Sequence, residues 1–411
     1  MKIGVWINKD ISPYVGGGFS YTSKLIELID QKEFTKELEV CFVSFEPLNF
    51  PSNKESIVLT RKLNEGLYLQ NLFTSIIQKF YVFRNITNRI NSKKNERINN
   101  AIYKQLTKAT VDIIYYVGQM EQNIPNFPFI ATNWDLGHLT LPPFPEVSSA
   151  FQLDKRRKWY NHTIKNAKAI FAESEAGKAE LIKYLNIESN KIDVLPMFPG
   201  NIIDLDVSPG DQITILNQFE LKKDSYFFYP AQFWEHKNHQ NLIIGFSSFL
   251  KKFPHVSLVF SGSDKGCLEE VLEEARNLEI IDQINYLGFI SNEALFSLYK
   301  NTIALVMPTL LGPTNMPPLE ARALDCPVLC SDFEGHREQL GEGAIYFDPN
   351  DADSIENALI QIMNPESRFR LLESATLEKD KSKFKSDESI KILENLFLNL
   401  NPKFNVLEKK F

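Results

Sequence analysis

Between Ile303 and Pro349 the chain reads IALVMPTLLGPTNMPPLEARALDCPVLCSDFEGHREQLGEGAIYFDP, and this stretch limits the fold more than any other. Ile303 to Met307 is a short apolar run with the branching of a buried strand and no helical period. A loop must follow, because Pro308 to Pro317 carries Gly312, Pro313, Thr314 and Asn315, residues that permit unusual backbone angles or bond neighbouring amides. Pro317 and Pro318 suit a helix's first turn, whose N–H groups lack intrahelical partners, and Thr314 or Asn315 is placed to cap it. Glu320 is expected in that first turn. A strand, a glycine-containing loop and a helix N-terminus gather free N–H groups and a positive dipole end at one point, which suits phosphate. A carboxylate cannot favour phosphate, so Glu320 is assigned to hydroxyls that donate hydrogen bonds, such as those of a ribose. The bland alternative is that Glu320 complements the helix dipole, worth roughly 0.3–1 kcal/mol. Phosphate beside sugar hydroxyls suggests a nucleotide.

A chain of 411 residues exceeds one ordinary core and points to two domains. Its 43% hydrophobic and 24% charged content is that of a soluble globular protein. The net charge of −7 argues against a nucleic-acid partner, whose binding rests on many basic contacts to phosphates. The start, MKIGVWINKD, is too short an apolar run for a signal peptide, and no run of transmembrane length occurs. A cytoplasmic location follows. Cys41, Cys267, Cys326 and Cys330 show neither metal-site spacing nor disulfide density and are expected as small core residues.

Strand and helix patterns alternate along the chain. Strands are expected at Lys2–Ile7, Glu39–Phe45, Val111–Tyr116, Pro128–Thr132, Lys168–Ala172 and Lys191–Leu195. Helices are expected at about Tyr21–Asp30, Tyr68–Lys108, Ser149–Asn166 and Glu175–Leu185. PMFPGNIIDLDVSPGDQ, from Pro196, has the composition of a linker. The alternation then restarts, with strands at Tyr226–Pro230, Val256–Ser261, Ile284–Leu287, Ile303–Met307 and Pro327–Cys330 and helices at about Asn238–Lys252, Leu268–Leu278 and Asn292–Lys300. The fold class is α/β, with two doubly wound domains. Expected boundaries are 1–200 for the first domain, 201–224 for the linker, 225–385 for the second domain and 386–411 for a final helix.

Candidate site residues lie where strands end. Gly16, Gly17 and Gly18 follow the first strand and would let backbone approach a ligand, although the spacing is not GxGxxG and a plain flexible turn explains it equally well. Asp135 and His138 follow another strand end, where they could serve as general acid or base, or orient a hydroxyl. Lys237 stands just ahead of a helix and can neutralise a diphosphate as a point charge. His236 and His239 lack a third ligand, so no metal site is expected. Turns at SGSDKG, which contains Gly262, and at LGFIS end strands on the same expected face. The stretch Tyr68–Lys108 interleaves basic and apolar residues, which suits either an anionic lipid surface or an ordinary solvated helix face.

Taken together, the GGG loop, WDLGH, YPAQFWEHKNH, LVFSGSDKG, LYKNTIALVMPTLLGPTNMPPLEARALDCPVL and GEGAIYFDPND make the chain resemble the family-4 retaining glycosyltransferases of GT-B fold over nearly its whole length. The resemblance implies two Rossmann-like domains facing across a cleft, a nucleotide-sugar donor bound by the second, and a final helix crossing back to the first. It implies that Lys237 contacts the donor diphosphate and Glu320 the nucleotide ribose, while Asn315, Met316 and Pro317 line the sugar and phosphate pocket. Gly17, Gln232, Gly262, Gly312 and Thr314 complete the expected donor-binding set, and Asp135, His138 and Lys237 the catalytic set. Three positions depart from the family pattern. Gly312 stands where a glutamate is usual, Gln232 where an arginine is usual, and Trp134 where a histidine is frequent; Thr314 and Asn315 offer a hydroxyl and an amide in place of the first.

The implied reaction moves a sugar from a nucleoside diphosphate to an acceptor hydroxyl with retained anomeric configuration, without a bound metal or other cofactor. Lys237, loop N–H groups and the helix N-terminus would stabilise the leaving diphosphate. The acceptor class stays open among a glycan, a lipid-linked glycan and a protein, with cell-surface polysaccharide assembly and peripheral contact with the inner membrane face as the family's habit. The alternative from another class is a non-catalytic nucleotide-sugar-binding scaffold subunit. Within enzymology the rivals are a sugar-nucleotide epimerase and a phosphorylase; the latter would need a pyridoxal-bearing lysine neighbourhood that is not evident. A redox Rossmann protein would need the missing GxGxxG fingerprint.

Overall fold

A computed structural model describes residues 1–8, 17–60, 84–120, 124–140, 144 and 149–408. Gly16 and the first part of the basic stretch, through residue 83, lie outside the described residues. Among the described residues, thirteen strands form two parallel sheets. The first contains β1 (Lys2–Trp6), β2 (Glu39–Ser44), β3 (Ser56–Val58), β4 (Ile113–Gln119), β5 (Phe129–Asn133), β6 (Ala169–Ala172) and β7 (Ile192–Val194), in the order β3-β2-β1-β4-β5-β6-β7. The second contains β8 (Tyr226–Pro230), β9 (Ser257–Ser261), β10 (Ile284–Tyr286), β11 (Ala304–Met307), β12 (Val328–Ser331) and β13 (Ile345–Phe347), in the order β10-β9-β8-β11-β12-β13. Both sheets are apolar on two faces because crossover helices cover each side. In the first, Ile3 and Val5 point into one core cluster while Trp6 and Ile114 point into another. The second sheet shares a single extensive core.

The stretch 201–224, expected as a linker, is folded. Ser208 accepts a hydrogen bond from Asp211 N, and Pro209 opens the helix Pro209–Gln218 where a missing N–H costs nothing. Ile202, Leu216 and Leu221 are buried in the second core. The final helix, Ser386–Glu408, packs on the first sheet: Leu393, Phe397 and Leu400 join its core, with Phe397 against Tyr115 at 5.7 Å. Ser389 Oγ donates to Pro196 O at 2.8 Å, and Glu394 pairs with Lys32 at 2.8 Å. Of the basic stretch, the helix Arg84–Lys108 buries Ile102 and Leu106 and exposes Arg97, Lys104 and Lys108, the pattern of a helix with one core face. Cys41, Cys326 and Cys330 are buried core residues as expected, whereas Cys267 is half-buried.

Candidate active site

Each sheet reverses its winding beside its first strand, so loops leaving β8 and β11 turn in opposite directions and leave a crevice at the strands' C-terminal ends. Residues on both loops are stitched together there. Leu310 N–H donates to His236 O at 2.8 Å. Asn238, in the left-handed region with φ 59°, donates from Nδ2 to Pro308 O at 2.9 Å and Pro349 O at 2.7 Å. Tyr229 OH donates to Lys237 O at 2.9 Å. The backbone of Lys237 is therefore fixed by its neighbours, and its Nζ donates to Asn315 Oδ1 at 3.2 Å.

The helix expected near Pro317 spans Met316–Ala323, with Asn315 at the N-cap position. Neither expected cap acts as one. Asn315 makes no side-chain capping bond, because its Oδ1 is turned to Lys237 and its Nδ2 to His336 Nε2 at 3.0 Å. Thr314 Oγ1 is buried with no partner among the described residues. Gly312 holds φ +102°, and a Cβ there would lie 3.0 Å from Thr314 O, so the loop's tight turn requires glycine. Met316 is buried against the first domain's core, and Pro317 is half-buried beside it.

Glu320 also departs from expectation, since the first turn of the helix holds no acidic residue and Glu320 comes one turn later. A dipole role fades beyond the first turn. Its side chain is 7% exposed, Oε2 accepts from Tyr299 OH at 3.1 Å, and burial pushes its carboxyl up to about 7 against the opposing pull of that bond. A carboxyl in this state gains most from hydroxyl donors that favour its ionised form.

Gln232 Oε1 accepts from Trp234 Nε1 at 2.9 Å. Gly262, at φ +136°, serves its own chain: a Cβ would fall 2.5 Å from Ala231 O, so the glycine lets the turns after β8 and β9 meet. Gly17 belongs to no loop; it opens the helix Gly17–Gln31, and its Cβ position faces Met316 Cβ at 3.4 Å. The first domain thus meets the second at the crevice. The Gly137 Cβ position lies 2.6 Å from Leu311 Cδ1, and that of Gly200 lies 3.8 Å from Glu320 Oε1.

On the first domain's side, Asp135 Oδ1 accepts from Gly137 N and from Arg156, each at 2.8 Å. Burial raises the Asp135 carboxyl, but Arg156 and these hydrogen bonds outweigh it and leave it below the usual range. An ionised, paired carboxylate orients well and accepts protons poorly. His138 lies in the short helix Gly137–Thr140, stacked on Tyr160 at 4.7 Å. Burial, with Arg156, lowers it to about 4 although Asp135 pulls the other way. It is neutral near pH 7, and its Nδ1 is buried without a partner among the described residues. Tyr160 OH donates to Asn133 Oδ1 at 2.9 Å, which ties the ring under His138 to the end of β5.

Several residues of this region escaped the sequence reading. The helix Glu334–Leu340 lies under the Gly312 loop so closely that a Cβ at Gly335 would sit 1.6 Å from Pro313 O. From it Gln339 clamps the Asn315 backbone, accepting from Asn315 N at 3.2 Å and donating to Asn315 O at 3.0 Å. Glu338 reaches the other domain, accepting from Glu175 N at 3.0 Å and Ala176 N at 3.1 Å at the start of the helix Glu175–Leu185. Seven residues carry no readable period, so only the run of polar side chains after Gly335 hinted at them. His239 is stacked on Phe233 at 4.2 Å, and burial pushes it down to about 3. Among the described residues, no group of three or more His, Cys, Asp or Glu is arranged to hold a metal.

Solved structures share this architecture along nearly the whole chain. Sucrose-phosphate synthase from Thermosynechococcus elongatus superposes with a TM-score of 0.69 at 16% identity, covering 97% of this chain and 98% of that one. WaaG, a glycosyltransferase involved in lipopolysaccharide biosynthesis, gives 0.64 at 12% identity, covering 95% and 98%. HepE of Anabaena, in complex with UDP and glucose, gives 0.64 at 16% identity, covering 98% and 100%. The fold is GT-B. Among curated relatives, O-antigen chain mannosyltransferase B of Escherichia coli is 23% identical over 242 residues, covering 58% of this chain and 62% of its own. O-antigen chain mannosyltransferase RfbU of Salmonella typhimurium LT2 is 28% identical over 221 residues, covering 54% and 58%. The chain thus spans about three-fifths of the length of these relatives. Residues 211–377, which carry Lys237, the Gly312 loop and Glu320, match the model of the family described as Glycosyl transferases group 1.

Proposed function

We propose that the protein is a retaining glycosyltransferase of family 4, moving a sugar from a nucleoside-diphosphate sugar to an acceptor hydroxyl without a bound metal. The observation that carries this reading is the meeting of Lys237 with Asn315 across the two loops of the second sheet's switch point, beside the buried Glu320. Lys237 and the N–H groups at the start of Met316–Ala323 take the diphosphate, and Glu320 takes the nucleotide's ribose hydroxyls. The loop's glycine and the Thr314 hydroxyl border the sugar. From the first domain, His138 and the Asp135–Arg156 pair orient donor sugar or acceptor. The bond from the anomeric carbon to the diphosphate breaks with its electron pair leaving on phosphate. The acceptor oxygen bonds to that carbon on the same face and passes its proton to the departing phosphate oxygen. Positioned charge, rather than a proton-transferring side chain, supplies the acceleration.

The mannosyl names of the two curated relatives support a mannosyl donor and an acceptor in O-antigen or other surface glycan assembly. Among the described residues no helix is long and apolar enough to cross a membrane. The place of work in this reading is the cytoplasm, at the inner face of the membrane, where the exposed Arg97, Lys104 and Lys108 can meet anionic lipid. A transfer assay tests the reaction: GDP-mannose, UDP-glucose and other nucleotide sugars are offered with a lipid-linked glycan acceptor, with and without EDTA. One donor should release its free nucleotide together with glycosylated acceptor, with the donor's anomeric configuration, and unaffected by EDTA. An inverted product would overturn the retaining mechanism, and binding of a donor without turnover under any acceptor would replace the enzyme by a scaffold.

A further inference from the structure

His336 belongs to no motif, yet it is fully buried, 0% exposed, beneath the loop that carries Asn315. Its two ring nitrogens have different neighbours. Nδ1 lies 2.7 Å from Ser331 O, a carbonyl that can only accept, so Nδ1 must carry the proton. The ring is neutral, because burial, aided by Lys237, pushes it down to about 4 although its bond to Ser331 pulls the other way. Nε2 is then a lone pair, and among the described residues its partner is Asn315 Nδ2 at 3.0 Å. An amide that donates through Nδ2 presents Oδ1 on its opposite side, where Lys237 Nζ donates to it at 3.2 Å. Ser331, at the end of β12, is itself fixed, its hydroxyl donating to Thr309 O at 2.6 Å.

We propose that His336 is a positioning residue that acts through Asn315 on Lys237. With its tautomer fixed by the Ser331 carbonyl, it sets the orientation of the Asn315 amide so that an oxygen, never an NH2 group, faces the ammonium. A flipped amide would place two donors face to face and drive the ammonium away. Gln339, three residues on along the same helix, holds the Asn315 backbone, and of the two acceptors near the amide's Nδ2, Leu311 O at 3.5 Å and His336 Nε2 at 3.0 Å, the histidine is the nearer. The role rests on the donor-site reading of Lys237, and it adds a residue in direct line behind it.

Two measurements decide it, on the full chain. The first needs no ligand: 15N-histidine NMR, with the His336 signal identified by its loss in His336→Phe. An Nδ1-protonated ring is expected, and an Nε2-protonated ring would overturn the proposal. The second compares GDP and UDP with GMP and UMP by calorimetry in wild type, His336→Phe, His336→Gln, Lys237→Ala and the Lys237→Ala/His336→Phe double variant. His336→Phe should weaken whichever diphosphate binds about 10-fold and its monophosphate less than about 2-fold, while His336→Gln, which restores an acceptor near Nε2, recovers most of the loss. In the Lys237→Ala background His336→Phe should change nothing further. Equal loss for mono- and diphosphate, or an additive double variant, would show a merely structural histidine and overturn the proposal. Wild type that binds none of the nucleotides while showing the expected tautomer would instead sink the donor-site reading, and the proposed role with it. Should His336→Phe fail to fold, His336→Gln against Asn315→Asp, which keeps an oxygen toward Lys237 but offers none of the amide's donors, gives the same comparison.

Discussion

The two faces of the crevice handle charge in opposite ways. On the second domain, the Lys237 ammonium donates to the neutral amide of Asn315. On the first domain, Asp135 is neutralised by Arg156 at 2.8 Å, and the nearby His138 is uncharged. On the first side, then, the charges are paired off. An anionic diphosphate belongs with the lysine, and the opposite face is suited to hydroxyls, which need direction more than charge. A dipolar partner such as the Asn315 amide is also cheaper to displace from a cation than a carboxylate is.

The sharpest way to break this comparison is Lys237→Ala. Transfer should fall by about 10²–10³-fold, the effect of removing one preorganised stabilising group, with the melting temperature little changed. A loss under about 3-fold would mean that this ammonium is not where the chemistry needs it. Next in size is Arg156→Met, which strips the partner from Asp135. Urea unfolding should show a destabilisation approaching the roughly 3–5 kcal/mol typical of an orphaned buried charge, reduced by the pair's partial exposure. Unchanged stability would contradict the view of the first face as a cancelled pair.

Glu320→Gln sharpens the comparison through pH. The folded carboxyl is raised from the ordinary 4.5 to about 7, so the folded state holds its proton longer and stability is lost as pH rises across that window. The amide should therefore melt higher than wild type at pH 8, with the advantage vanishing below pH 4.5, while binding of any nucleotide that uses its ribose weakens. A variant less stable than wild type at pH 8 would contradict the strain assigned to this carboxyl. The smallest effect is expected for His138→Phe, which keeps the ring against Tyr160. Stability near pH 7 should move by less than about 1 kcal/mol. Because His138 is depressed to about 4, wild type loses stability as pH falls from 6.5 to 4, and the variant should lose less over that range when followed by thermal melts.

Legibility in the sequence followed length and repetition. Apolar runs such as Phe227–Tyr229 and Leu305–Met307 cannot be exposed, so their strands, the parallel pairing and the two domains could be read directly. Lys237 and Glu320 stood out in the sequence because each lies at a strand-to-helix turn. What stayed hidden depends on contacts between distant segments. The 201–224 stretch has the composition of a linker, yet Leu216 and Leu221 find a core that no local pattern announces. Phe397, fully buried against Tyr115 and Phe171, owes its burial to partners in distant segments. Capping by Asn315 was a sound local inference that lost to two distant partners, Lys237 and His336. Asn238 was invisible for the same reason: its value lies in a left-handed backbone and two carbonyls that are 70 and 111 residues away.

The central claim is that the loops after β8 and β11 hold a nucleoside diphosphate through Lys237. Calorimetric titration of GDP and UDP into wild type and Lys237→Ala, at two salt concentrations, tests it most directly. One diphosphate should bind wild type, more weakly at higher salt, and bind Lys237→Ala at least about 10-fold more weakly with the salt dependence reduced. Equal affinity in the two proteins, or no binding by a folded wild type, would contradict the account.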